Sequence, residues 1–250
     1  MNADNAPDPA LIEDLVLANR ILADQGVLDG FGHVSARHDK YPDRFLMSQS
    51  RAPAAVTTAD IKQFELDGRP IGEVLKPPLE RFIHSEIFRA RTEVMAVVHS
   101  HSPAVIPFGV TDVPLRAICH VSAFIGVSAP VFEIRDAAGD DSSLLITTPY
   151  LGTALAKALG NATLVLMRGH GDAVVGGSVR QAVYRAIYTE MNARQQSESM
   201  RLGSVNFLTK GEAASAALSI ESDLSKPWEH WKKCLEYKTG SASAGQDSRS

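Results

Sequence analysis

Apolar residues along the chain change period several times, and each change marks an element. Leu11, Ile12, Leu15, Val16, Asn19 and Leu22 recur at helical spacing behind Asp8-Pro9, a capping residue followed by proline at the first helical position, and Gly26 closes the segment. After Gly30 and Gly32, the short run His33 to Arg37 predicts a strand with His33, Ser35 and Arg37 on one face. Arg44 to Ser48 predicts a second strand, and Asp67-Gly68 inside 64–71 a hairpin turn. Leu79 to Arg91 is amphipathic, with Phe82, Ile83, Ile87 and Ala90 as its apolar stripe. Val94 to Val98 and Ala162 to Met167 are apolar runs of the kind that buried strands show, and Ala129 to Ile134 predicts another strand. Asp136 to Ser142 reads as an exposed turn, and a helix ending near Ala158 follows Leu144 to Ile146.

The C-terminal third is helical in pattern. Ser178 caps a long helix, Val179 to Leu202, which Gly203 stops; Val183, Ala186, Ile187, Glu190 and Met191 face inward or toward a neighbouring subunit. Tyr184 and Tyr188 share one face of it, as core packing would have them. Gly211 to Ile220 predicts a further helix, and Pro227 opens another whose Trp228 and Trp231 carry a large apolar area that needs burial.

A chain of 250 residues with 44% hydrophobic content can bury a sizeable single core, and no break in composition divides it. One domain over 9–238 is expected, with flexible termini at 1–8 and 239–250. The net charge of −4 gives no basic footprint for nucleic acid. No run approaches the roughly 18 apolar residues of a membrane span. The polar, acidic start is unlike a signal peptide, and two cysteines, Cys119 and Cys234, fit reduced thiols in a cytoplasmic setting.

The candidate chemistry lies where two of the predicted strands end. His99 and His101 are spaced i, i+2, which turns both imidazoles to one side of a strand terminus. His170, flanked by Gly169 and Gly171, follows the other apolar run and can approach another segment closely. Three imidazoles facing one point with a fourth position open make the ligand set of a catalytic divalent site. Taken alone, the His99 and His101 pair also fits two solvated histidines. Glu80, in the first turn of its predicted helix, is either a carboxylate favoured by the helix dipole or a group of the site, whereas His84 one turn later is a structural candidate.

His-Ser-His-Ser after Ala-Val-Val, Glu80 upstream, Gly-His-Val-Ser-Ala-Arg, and Arg-Gly-His-Gly after a second apolar strand together resemble the class II aldolase/adducin family over about Leu11 to Leu202. The resemblance implies a single-domain α/β/α fold with a central, mainly antiparallel sheet flanked by helices. It implies a divalent metal (Zn, Mn, Co or Fe) on His99, His101 and His170, with Glu80 as general acid/base or metal-adjacent carboxylate. It also implies a homotetramer with active sites at subunit interfaces, where the C-terminal segment with its tryptophans covers the entrance and His120 is either a core histidine or near the cavity.

The chain departs from the sugar-phosphate aldolases of the family at two places. Arg51 intrudes into Ser48 to Pro53, where they carry a small phosphate-cradling loop, and Pro77-Pro78-Leu79 replaces paired serines. Both departures argue against a phosphorylated sugar. His33, where the family commonly has Asn, with Ser35 and Pro-Pro-Leu-Glu, is most similar to the branch that removes CO₂ from hydroxylated aromatic or pyridine dicarboxylates. The expected activity is therefore a metal-dependent carboxy-lyase on a small-molecule carboxylate, the metal chelating substrate hydroxyl and carboxylate, and His33 or Glu80 handling the proton. Arg37, Arg51 and Arg116 are candidates to hold carboxylates, each equally able to form a surface ion pair. Retro-aldol cleavage of a non-phosphorylated hydroxy-keto acid uses the same metal chemistry, and a non-catalytic adducin-like interaction module is the reading from another class.

Overall fold

The computed structural model describes residues 6–244 of the chain, with side chains described as far as Lys238. Its strands are β1 His33–Arg37, β2 Arg44–Ser48, β3 Ile61–Glu65, β4 Pro70–Ile71, β5 Ala96–Ser100, β6 Val131–Phe132, β7 Leu164–Met167 and β8 Gly171–Gly176. The helices are α1 Pro9–Asp24, α2 Arg81–Ala90, the single turns α3 Ile106–Gly109 and α4 Arg135–Ala138, then α5 Pro149–Leu159, α6 Val179–Leu202, α7 Lys210–Ile220 and α8 Ser225–Ala244. One sheet holds all eight strands in the order β4-β3-β2-β1-β5-β8-β7-β6. Every neighbouring pair is antiparallel except β6 beside β7.

The period of two along the strands sorts side chains into two cores. Val34, Ala36, Val98, Leu164, Leu166 and Val174 meet α1, α6 and the tryptophans of α8 on one face. Phe45, Phe64, Val97, Val165, Met167 and Val175 meet α2 and α5 on the other. The result is the expected α/β/α layering with a mainly antiparallel sheet. Helices α2 and α5 touch closely at Gly152, where an added Cβ would stand 2.4 Å from the Phe82 carbonyl oxygen.

Several local expectations change. Trp228 and Trp231 are buried in the core with α1 and α6 rather than lining an entrance, because α8 packs back onto that face. The expected turn at 136–142 begins as α4, started by the Glu133 carboxylate accepting from the Arg135 N–H. The strand expected over 129–134 shortens to β6, and Ala90 and Met191 are exposed. Helix α8 runs on to Ala244, inside the terminus expected to be flexible from 239, and the expectation for residues 1–5 and 245–250 falls outside the described residues. Among the described residues, no helix is long and apolar enough to cross a membrane.

Candidate metal centre

Strand β1 and helix α2 run alongside one another, and their repeats match. Four residues of helix and two of strand each advance about 6 Å. Glu80, His84 and Phe88 along α2 therefore stand beside His33, Ser35 and Arg37 along β1. His84 bonds both His33 and Ser35, at 2.8 and 2.6 Å. Phe88 gives its carbonyl to Arg37 at 2.7 Å, and Glu80 shares one cavity wall with His33. Across the sheet, the β1 and β5 register sets His33 directly opposite His99.

Four donors converge at this end of the sheet. Ligand atoms of Glu80, His99, His101 and His170 all lie within 4.8 Å of one another. Glu80 Oε2 is 3.7 Å from His99 Nε2 and 3.5 Å from His170 Nε2, and the Nε2 atoms of His170 and His101 are 3.1 Å apart. Backbone carbonyls set the orientation. His99 Nδ1 donates to the Asp172 carbonyl at 2.8 Å and His170 Nδ1 to the Leu144 carbonyl at 3.0 Å, so both Nε2 lone pairs face the cluster. The Leu144 carbonyl is aimed by a left-handed backbone, φ 67°, which is strained for leucine and characteristic of functional sites. Glu80 is the N-cap of α2 but caps nothing with its side chain; its Oε1 instead accepts from the Ile146 N–H at 2.9 Å.

The donor set fits a divalent cation. Among the described residues His99 Nε2, which is buried, has no hydrogen-bond partner, an orphaned lone pair that a cation would satisfy. Burial, reinforced by the neighbouring His99 and His170, pushes His101 down to about 4, so it offers a neutral ligand nitrogen at physiological pH. Burial favours a neutral Glu80, but the imidazoles of His170 and His99, 3.5 and 3.7 Å from Oε2, outweigh it and hold the carboxyl well below its usual range. His99, His101 and His170, with Glu80 beside them, would hold the ion.

A cavity of about 480 Å³ opens beside the cluster, lined by His33, His101, Glu80, Phe31 and the loop from Ser48 to Ala52. Arg51 is in that wall, as are Pro78 and Leu79, the residues expected to have displaced a phosphate cradle. Asp60 clamps the loop: its carboxylate accepts from Gln49 Nε2 and from the Thr57 N–H and hydroxyl, and its backbone oxygen from the Gln49 N–H. Phe31 was not singled out by the sequence reading. It stands between two glycines, 70% exposed and with its ring 6.0 Å from that of His101. Gly32, at φ +87°, lets this segment approach the His99 carbonyl, which an added Cβ would meet at 2.9 Å. A large aromatic held out between glycines was the available signal.

The other expected substrate contacts lie elsewhere. Arg37 is buried and spends its guanidinium on the carbonyls of Val94, Pro42, Phe88 and Arg91, the last two at the C-terminal end of α2, so it is a helix-capping residue and not a carboxylate ligand. Ser35 is fully buried under His84 and does not reach the cavity. Arg116 stacks on Phe207 at 4.0 Å, and His120 is exposed in a groove with Leu208 and Ser215; neither lines the cavity beside the histidines. Burial and the adjacent His99 lower His33 to about 3, so it sits there as a neutral imidazole.

The fold is that of a family. Residues 13–197 match the class II aldolase and adducin N-terminal domain, and the chain belongs to that family. The decarboxylase tropJ of Talaromyces stipitatus is 34% identical over 93% of this chain and 96% of its own length. The 3,4-dihydroxyphthalate decarboxylase of Terrabacter sp. is 35% identical over 78% of this chain and 82% of its own. Among solved structures, the L-fuculose 1-phosphate aldolase from Glaciozyma antarctica superposes with a TM-score of 0.75 at 23% identity, covering 93% of this chain and 90% of that one, and shares the fold. The chain is accordingly a carbon–carbon lyase of the decarboxylase kind.

Proposed function

We propose that the chain is a divalent-metal-dependent decarboxylase of a hydroxylated aromatic or pyridine (di)carboxylic acid, whose hydroxyl and adjacent carboxylate chelate the metal. The observation that carries the reading is the convergence of three imidazoles and Glu80 on one point beside a cavity whose wall holds Arg51 and Phe31. Relatives named 3,4-dihydroxyphthalate decarboxylase support the substrate class. The His₃ set suits Zn, Mn, Co or Fe.

A divalent ion, when bound, supplies Lewis-acid stabilisation of the negative charge that develops as the carbon–carbon bond breaks. Arg51 holds a second carboxylate through its planar fork, and Phe31 offers a face for the ring. Glu80 handles the proton: its Oε2 borders the cluster while Oε1 is anchored on the Ile146 N–H. It takes the proton that the substrate hydroxyl gives up. As the bond to CO₂ breaks, the electron pair stays on the ring carbon, Glu80 returns the proton there, and its carboxylate is regenerated. The product hydroxyl is reprotonated from water. Glu80 is preferred over His33 for this step because its Oε2 stands directly against the Nε2 atoms of His99 and His170.

The proposal includes a cytoplasmic homotetramer with sites at subunit interfaces, supported by free Cys119 and Cys234 and by exposed Leu202 and Leu218, which an interface would cover. The direct test of the activity is CO₂ release from paired acids. A ring acid with a hydroxyl beside the carboxylate should react and the same ring without it should not, whereas equal rates from both would contradict the chelation.

A further inference from the structure

Behind the cavity wall lies a buried hydrogen-bond chain that the proposed reaction does not use. Ser35 and His84 are both fully buried, Ser35 Oγ stands 2.6 Å from His84 Nδ1, and His84 Nε2 stands 2.8 Å from His33 Nδ1. We propose that Ser35 and His84 are positioning residues that fix the tautomer of His33, so that His33 presents its Nε2–H to the cavity as a hydrogen-bond donor for a substrate carboxylate oxygen. The inference rests on reading that cavity as the site of an acidic ring.

The direction of the chain follows from the serine. Among the described residues, His84 Nδ1 is the partner that the structure gives the Ser35 hydroxyl. A buried hydroxyl hydrogen without an acceptor is strongly disfavoured, so Ser35 donates and His84 Nδ1 accepts. A neutral imidazole carries one N–H, which on His84 is then at Nε2, pointing at His33 Nδ1. His33 Nδ1 accepts in turn, and its own proton sits on Nε2, the nitrogen left for the cavity that the residue lines.

The opposite direction has two costs. It leaves the Ser35 hydrogen unpaired inside the protein. It also puts a bare His33 nitrogen beside His99, whose ring centroid is 5.1 Å away, where it would compete to bind the cation. The chain from Ser35 thus keeps His33 out of the ligand set and makes it a donor to the carboxylate beside His99, apart from the second carboxylate assigned to Arg51.

The test uses zinc-loaded protein labelled with ¹⁵N-histidine, whose long-range ¹H–¹⁵N spectrum reports which ring nitrogen of each histidine carries the proton. The expected result is Nε2–H for both His33 and His84, with the His84 preference lost in Ser35→Ala and kept in Ser35→Cys, which retains a donor. A proton on Nδ1 of His33 overturns the proposal, and the wild-type spectrum alone decides this if the alanine variant does not fold. Binding of salicylate to the zinc-loaded protein gives the second readout. Ser35→Ala should weaken it by about tenfold when His33 is present and leave it unchanged in a His33→Asn background, because the asparagine amide donates whatever its neighbours do. Equal weakening in both backgrounds means a packing effect and also overturns it. If salicylate does not bind at all, the reading of the cavity fails, and the tautomer spectrum still decides the hydrogen-bond chain independently.

Discussion

The imidazole of His99 donates from Nδ1 to the backbone carbonyl of Asp172 across 2.8 Å, so the strand beside it decides which nitrogen His99 turns to the cluster. That strand fits against β5 because Gly171 has no side chain: an added Cβ would stand 1.9 Å from the Ser100 carbonyl oxygen. Gly171→Ala is therefore expected to push β8 away from β5, lowering stability by about 1–3 kcal/mol and metal affinity by roughly tenfold or more. Denaturant unfolding and zinc titration of the variant check both numbers. Unchanged zinc affinity would remove the Asp172 carbonyl from the account.

Arg51 is the guanidinium in the cavity wall, and its fork is what lysine cannot reproduce. Arg51→Lys should raise KM for a dicarboxylate by about tenfold to a hundredfold and change kcat little, since the loss is of charge-assisted hydrogen bonds in the ground state. The same variant should affect a monocarboxylate much less, which steady-state kinetics on both substrates will show.

Asp60 holds the Arg51 loop as a carboxylate. Side-chain hydrogen bonds from Gln49 and Thr57 stabilise its carboxylate form, so its folded pKa lies below the ordinary aspartate value. The stabilisation is then fully present above the unfolded value of about 4 and is lost as pH falls through the folded value. Asp60→Asn should destabilise the protein by about 1–3 kcal/mol at neutral pH. In unfolding curves taken at a series of pH values, the gap from wild type should narrow below about pH 4; a gap that stays constant would contradict the carboxylate's role.

Glu80→Gln keeps an oxygen for the Ile146 N–H and a similar volume, but it cannot take up a proton. Its kcat should fall by about 10²- to 10⁴-fold while the purified protein still carries metal on His99, His101 and His170. Retained turnover would move the proton to another group.

Much of this was legible in the chain because it follows from period and punctuation. Apolar runs ending in His99-Ser100-His101 and Arg168-Gly169-His170 gave the strands and the converging imidazoles, and Asp8-Pro9, Ser178 and Gly203 gave helix ends. Strand β8 was not read, because a glycine at each end and Asp172 near its start make Gly171–Gly176 resemble a loop; its Ala173-Val174-Val175 centre was the signal. Arg37 was read onto the correct face of β1, but sequence spacing does not reveal that the C-terminal carbonyls of α2 lie over that end of the strand. The link from His84 to Ser35 and His33 was illegible for the same reason. It depends on the helix and strand repeats advancing together over the sheet.

The most direct test of the central claim is CO₂ release from an ortho-hydroxylated aromatic or pyridine dicarboxylate, measured alongside metal content before chelation, after it, and after adding back one divalent ion at a time. The account predicts about one ion per chain in the untreated protein, release that falls to background when the ion is removed and returns with it, and neither ion nor release in His99→Ala. Release that continues after the metal is gone, or that survives in His99→Ala, would contradict it.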